Sequence, residues 1–135
     1  MHASEVFIDS SVILYLLSAD AAKADRVEEL LLTPSVVSVQ VLNEVAAVAL
    51  RKHALSPGEA REFLAGIREF CFARSITLQD HERGLDIVER YGFSLYDSMI
   101  VASALEHGCR TLYSEDLRHG QIIEKRLKVI NPFAK

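Results

Sequence analysis

The sequence predicts an α/β fold in three layers, a small parallel β-sheet flanked by helices, in a single domain over residues 1–135. Three observations predict it. Short β-prone apolar runs alternate with longer segments whose apolar residues recur at helical spacing. No Gly-, Ser- or Pro-rich linker and no internal repeat divides the chain. Hydrophobic residues make up 50% of it and charged residues 25%, enough for a core of its own.

Val6-Phe7-Ile8 is the first strand candidate, ending at Asp9, with an apolar stretch from Val12 to Leu17 behind it. Asp20 to Leu32 predicts a helix with Val27, Leu30 and Leu31 on one side, broken by Thr33-Pro34. Ser35 to Val39, rich in valine, is the second strand. Gln40 to His53 follows as a helix whose apolar stripe is Val41, Val45 and Val48, flanked by Leu42 and Ala49. Ser56-Pro57-Gly58-Glu59 starts the next one: Ser56 caps, Pro57 suits the first helical position, and Glu59 completes a capping box. Ala60, Phe63, Leu64, Ile67, Phe70 and Cys71 continue it at helical spacing. Ser75 to Leu78 reads as a short strand, and Asp80 as the cap of a helix that runs to Tyr91 and stops at Gly92. Ser94 opens another helix, ending at His107-Gly108. Arg110 to Tyr113 and Leu127 to Ile130 are the remaining strands. Strands separated by helices imply parallel crossovers, and sites in such sheets gather at the carboxyl ends of the strands.

The formal net charge is −4, from 15 Lys+Arg against 19 Asp+Glu, which argues against nucleic-acid binding through bulk positive charge. An enzyme that concentrates carboxylates to hold cations stays open. Cys71 and Cys109 lie far apart in apolar segments and read as reduced core thiols of a reducing cytosol. The start Met1-His2-Ala3-Ser4 carries no signal-peptide pattern, and no apolar run reaches the ~18 residues of a membrane span, so the expectation is a soluble, cytoplasmic protein without a membrane partner. His2, His53, His81, His107 and His119 form no HExxH or paired ligand spacing and read as structural or solvated. There is no phosphate-binding GxxxxGK[ST] and no GxGxxG after the first strand. Asp9-Ser10-Ser11 also lacks the second Asp of a haloacid-dehalogenase-like phosphatase.

Four carboxylates fall where a site of this fold class belongs. Asp9 follows the first strand, as a site residue or as the N-cap of the segment after it. Glu44 borders the buried stripe between Val41 and Val48, where a carboxylate needs a partner or a reach to solvent. Asp97 shares a face with Val101 and Ala104, and Ser94-Leu95-Tyr96-Asp97 also matches a capping box. Asp116 follows Thr111 to Glu115 as a strand-end residue or a turn aspartate, with one of Glu115 and Asp116 facing solvent. Carboxylates gathered in this way repel one another unless protonated or bridged by a cation. A hard divalent ion such as Mg²⁺ or Mn²⁺ answers that repulsion and suits phosphodiester hydrolysis, because it lowers the pKa of a water and neutralises phosphate charge. Among the basic residues, Arg51, Lys52, Arg118, Arg126 and Lys128, the best candidate to contact a phosphate is Arg118, whose loop borders the acidic positions.

On these residues the chain resembles the PIN-domain ribonucleases of the VapC toxin type. VFIDSSVILYLL is similar to their opening strand, SVQVLNEV to their second acidic segment, SLYDSMIVASALEHGC to the third and TLYSEDLRHG to the fourth; INPF resembles the short tail of toxin-type members. The resemblance runs from Val6 to Phe133 and departs mildly at Ser10, where the family often has Thr or Asn. It implies a PIN-like three-layer fold and an Mg²⁺- or Mn²⁺-dependent endoribonuclease, the toxin of a toxin–antitoxin pair. It further implies that Asp9, Glu44, Asp97 and Asp116 ligate metal and activate water, with Ser10 and Ser114 as hydroxyls behind them. A homodimer and a small antitoxin that blocks the acidic pocket with its tail are implied as well. Two other readings compete. One is a catalytically idle module of the same fold that binds RNA or protein, favoured by the net charge of −4. The other is a phosphatase or DNA nuclease using the same acidic chemistry.

Overall fold

The computed structural model describes residues 6–134, so the Met1-His2-Ala3-Ser4 start lies outside the described residues. The elements follow in the order β1 (Val6–Ile8), α1 (Ser10–Ile13) extended by a 3₁₀ turn (Leu14–Leu17), α2 (Ala21–Leu31), β2 (Ser35–Ser38), α3 (Val39–Arg51), α4 (Pro57–Phe70), β3 (Cys71–Arg74), α5 (Leu78–Tyr91), α6 (Leu95–His107), β4 (Thr111–Tyr113), β5 (Ile122–Ile123) and β6 (Leu127–Ile130). The sheet order is β3-β2-β1-β4-β6-β5, parallel throughout except for β5 against β6.

This order creates the place for a site. From β1 the chain steps outward to β2 and β3, then crosses back over the sheet to β4. Right-handed crossovers therefore carry α1 to α4 over one face and α5 and α6 over the other. The direction reverses between β1 and β4, which pair directly, Phe7 opposite Leu112 and Ile8 opposite Tyr113. A crevice opens beyond the carboxyl ends of strands at such a reversal.

The inner strands are buried from both sides and read as apolar runs: Phe7, Ile8, Val36, Val37, Leu112 and Val129 are all inaccessible. α6 is buried nearly all round, from Ile100 to Leu105, because it lies under α5 as well as on the sheet. The close crossing of α5 runs over Gly84, where an added Cβ would meet Met99 Sδ at 2.6 Å. Gly92 and Gly108 end α5 and α6 in the left-handed conformation, φ 74° and 86°. The capping box at Ser56 and Glu59 forms in both directions.

Three sequence expectations are corrected. The third strand is Cys71–Arg74, not Ser75 to Leu78. Cys71 is drawn inward beside Ser35, Sγ to Oγ 3.3 Å, so the helix ends at Phe70, which is left 53% exposed instead of continuing the buried stripe. The cap of α5 is Thr77, whose hydroxyl accepts the Asp80 amide at 3.0 Å. Asp80 lies one turn inside and is wholly buried, paired with Arg74 at 2.5 Å and accepting from Ser103 at 3.1 Å. Burial alone would raise the pKa of Asp80, but Arg74, Thr77 and Ser103 together hold it below the usual range. Finally, β5 is absent from the sequence reading. Its hairpin turns at Glu124 and Lys125, at φ 54° and 59°, without the Asn-Gly or Asp-Gly that signals such a turn. Arg90 clamps both oxygens of Glu124 at 2.6 Å, and the Glu124 amide donates to Tyr91 at 2.9 Å, holding the turn from outside.

Candidate active site

Asp9 leaves β1 at the reversal point. Its amide extends the ladder to β4 by donating to the Tyr113 carbonyl at 2.9 Å. Its side chain caps nothing, although the residue occupies the N-cap position of α1. The carboxylate is only 2% exposed. It is held instead by hydroxyls: Ser114 donates to Oδ2 at 2.7 Å and Ser11 donates to the same oxygen at 3.1 Å. Ser10 donates to Glu44 Oε1 at 2.7 Å and also approaches Asp9 Oδ1 at 3.3 Å, so one hydroxyl joins the two acids.

The other acids arrive from three directions. Glu44 comes from α3 on one face of the sheet, half-buried, and Asp97 from the first turn of α6 on the other. Asp116 follows β4 at the rim. Ser94 accepts the Asp97 amide at 3.1 Å, but no reciprocal bond from the Asp97 side chain closes a capping box among the described residues, which leaves the Asp97 carboxylate to the crevice. Gln40 donates to the Tyr96 carbonyl at 2.9 Å and lies 3.4 Å from Glu44 Oε2, tying the two helices across the site.

Electrostatics record the convergence. Burial raises the Asp9 pKa from 3.8 to about 6; the Ser114 and Ser11 bonds oppose this, and the charges of Asp116 and Asp97 add to it. The Asp116 pKa is raised by partial burial of its carboxyl, then by Asp97 and Glu115. Asp9, Asp97 and Asp116 thus share one field, with Glu44 linked in through Ser10. Among the described residues none of the four makes an ion pair. Their donor set is all oxygen and anionic, which fits a hard divalent cation. Among the described residues no group of three or more acidic, histidine or cysteine side chains stands close enough to hold a metal ion.

Glu115 and Asp116 divide their tasks. Tyr15 donates to Glu115 Oε1 at 2.5 Å and Lys23 to Oε2 at 3.2 Å, while Ser11 accepts the Glu115 amide at 3.1 Å. Ser114 accepts the amides of Asp116 at 3.1 Å and Leu117 at 3.4 Å. Glu115 is the anchor, and Asp116 is the carboxylate left at the crevice. Arg118 is exposed in the turn beyond, and no bond from its side chain to the acids is found among the described residues. His119 is structural, its Nδ1 accepting the Asn131 amide at 2.9 Å. Cys71 and Cys109 are both buried and neither is in a disulfide.

Sequence reasoning missed Ser11, Gln40, Tyr15 and Lys23. The tandem Asp9-Ser10-Ser11 and the one-turn spacing of Gln40 and Glu44 carry a usable signal. Tyr15 and Lys23 meet Glu115 only through the fold, and no local pattern announces that.

A search of curated proteins finds no match. Several solved structures are similar in fold. The sarcin–ricin-loop-cleaving toxin VapC20 of Mycobacterium tuberculosis superposes with a TM-score of 0.66 at 20% identity, over 81% of this chain and 88% of that one. A toxin–antitoxin complex from Klebsiella pneumoniae gives 0.72 at 18%, over 95% and 98%. VapBC2 of Rickettsia felis, bound to a DNA fragment from its promoter, gives 0.62 at 13%, over 92% and 96%. The pattern that defines the PIN domain matches residues 6–125, and the chain belongs to the PIN-domain family.

Proposed function

We propose that this PIN domain is an Mg²⁺- or Mn²⁺-dependent endoribonuclease, the toxin of a toxin–antitoxin pair, working in the cytoplasm as a homodimer against an RNA target and restrained by a cognate antitoxin. The observation that carries this reading is the buried Asp9 carboxylate, pushed to about 6, facing Asp97 and Asp116 with no cation beside them among the described residues. The fold and family likenesses to toxins support the biological setting.

The residues that would hold the ion are Asp9, Glu44, Asp97 and Asp116. When bound, such an ion lowers the pKa of a water and offsets charge on the scissile phosphate. The chain does the rest. Ser114 and Ser11 fix the direction of Asp9, and Ser10 fixes Glu44 against it. Asp116 completes the acidic set at the rim, its proton affinity raised by partial burial and by the charges of Asp97 and Glu115. The carboxylates gathered at the strand ends leave the phosphate itself to be drawn in by charge supplied at the site.

The test is RNA cleavage by the purified protein, freed of inhibitor, with Mn²⁺, with EDTA and with Asp97→Asn. Asparagine keeps the helix start, because Ser94 bonds the backbone amide of residue 97. Cleavage should require the metal and fall by at least about 100-fold in the variant. A wild type that cuts nothing in a broad cellular RNA pool sinks the reading and leaves the idle binding module. A variant as fast as wild type reduces Asp97 to a helix-start residue.

A further inference from the structure

A cleft of about 260 Å³ adjoins the acidic crevice, between α1 with its 3₁₀ extension and the C-terminal half of α3. Ser11, Tyr15 and Ser18 line one wall, and Val48, Lys52 and His53 the other. Ser11 belongs to both places, since its hydroxyl also donates to Asp9. Glu44 and Val48 on α3 and Lys52, the helical C-cap residue after it, recur at i, i+4 spacing and so share one face. That face runs from the site carboxylate to a cation about 12 Å farther along the axis, at ~1.5 Å of rise per residue. Among the described residues neither Lys52 nor His53 makes an ion pair or a side-chain hydrogen bond.

We infer that this cleft binds single-stranded RNA, with a nucleotide between the walls and the phosphate beside it on Lys52 and His53. The inference rests on the ribonuclease reading and extends it. The ring and hydroxyls of this wall are held within the chain, Tyr15 packing against Lys23 and Phe133 and donating to Glu115, and Ser11 and Ser18 donating to Asp9 and the Tyr15 carbonyl. The groups free to meet a strand are the apolar Val48 and the cations Lys52 and His53, which would track its backbone. Lys52 stands about two helical turns beyond Glu44 and is placed for a phosphate neighbouring the scissile one on the same strand. The local cation also removes the objection raised by a net charge of −4, because the strand meets Lys52 rather than the average surface.

The test measures binding of a labelled single-stranded oligoribonucleotide by fluorescence anisotropy in EDTA, across a salt series, alongside KM for cleavage in Mn²⁺. Lys52→Gln should weaken binding about fivefold at ~0.1 M salt and reduce the salt slope by about 0.7, the share of one phosphate on a single strand. Lys52→Arg should restore both, and Arg61→Gln, on the separate groove between α3 and α4, should change neither. Thermal melts of each variant establish folding. If Lys52→Gln binds and cuts like wild type, the cleft is not an RNA track and is left to a protein segment, while the ribonuclease reading stands. If wild type itself neither binds nor cuts RNA, both fall together.

Discussion

Asp9→Asn should stabilise the metal-free fold at neutral pH while removing activity. The folded state raises the Asp9 pKa from 3.8 to about 6. A carboxyl with a raised folded pKa favours the native state while protonated, and that advantage is lost as pH rises through the window from about 4 to 6. Two units correspond to about 3 kcal/mol of penalty on the charged native form. Asparagine carries no charge and escapes it. It also loses acceptor capacity toward Ser114, Ser11 and Ser10, a cost of about 1–3 kcal/mol that does not depend on pH. Comparing two pH values cancels that cost. Urea unfolding in EDTA at pH 4 and pH 7.5 should show the variant gaining about 2.5 kcal/mol over wild type between the two, after linkage is integrated. Saturating Mn²⁺ should reverse the order, stabilising wild type by about 2.7 kcal/mol at a hundredfold excess over Kd and leaving the variant unmoved. A stability difference that stays flat from pH 4 to 7.5 would refute the argument that burial and neighbouring acids burden this carboxylate.

Two further outcomes test the scaffold of the site. Ser114→Ala removes the donor to Asp9 and the acceptor for the Asp116 and Leu117 amides, and should cost about 1–3 kcal/mol in urea unfolding together with a loss of metal-dependent cleavage. Asp80→Ala leaves Arg74 half-buried without its carboxylate and should cost about 3–5 kcal/mol by the same method, a loss that shrinks at low pH because the depressed Asp80 pKa makes its contribution vanish as the wild-type acid protonates.

The anionic average of the chain and a nucleic-acid substrate are compatible once charge is placed. Asp9, Asp97 and Asp116 concentrate negative charge in one crevice where a bound cation would reverse it, and Lys52 stands apart from them on the same face as Glu44. Bulk charge describes long-range attraction, while the site works at contact distance.

Periodicity and capping chemistry were enough to determine much of this protein. The helices from Asp20, Ser56 and Ser94 begin where their cap residues stand, and Gly92 and Gly108 end two of them, because these rules act within one turn of chain. Alternation of strands and helices gave the parallel sheet, and with it the rule that drew attention to Asp9 and Asp116. What the tertiary structure alone decided involves partners distant in sequence. Cys71 became a strand residue because it meets Ser35, and Asp80 moved from cap to buried ion pair because Arg74 and Ser103 reach it. The Glu124–Lys125 turn forms without glycine because Arg90 and Tyr91 clamp it. The choice of Asp116 over Glu115 for the crevice belongs to Tyr15 and Lys23, which hold Glu115 away. Local sequence sets backbone preference over a few residues, but which carboxylate stays free depends on what the rest of the chain brings beside it.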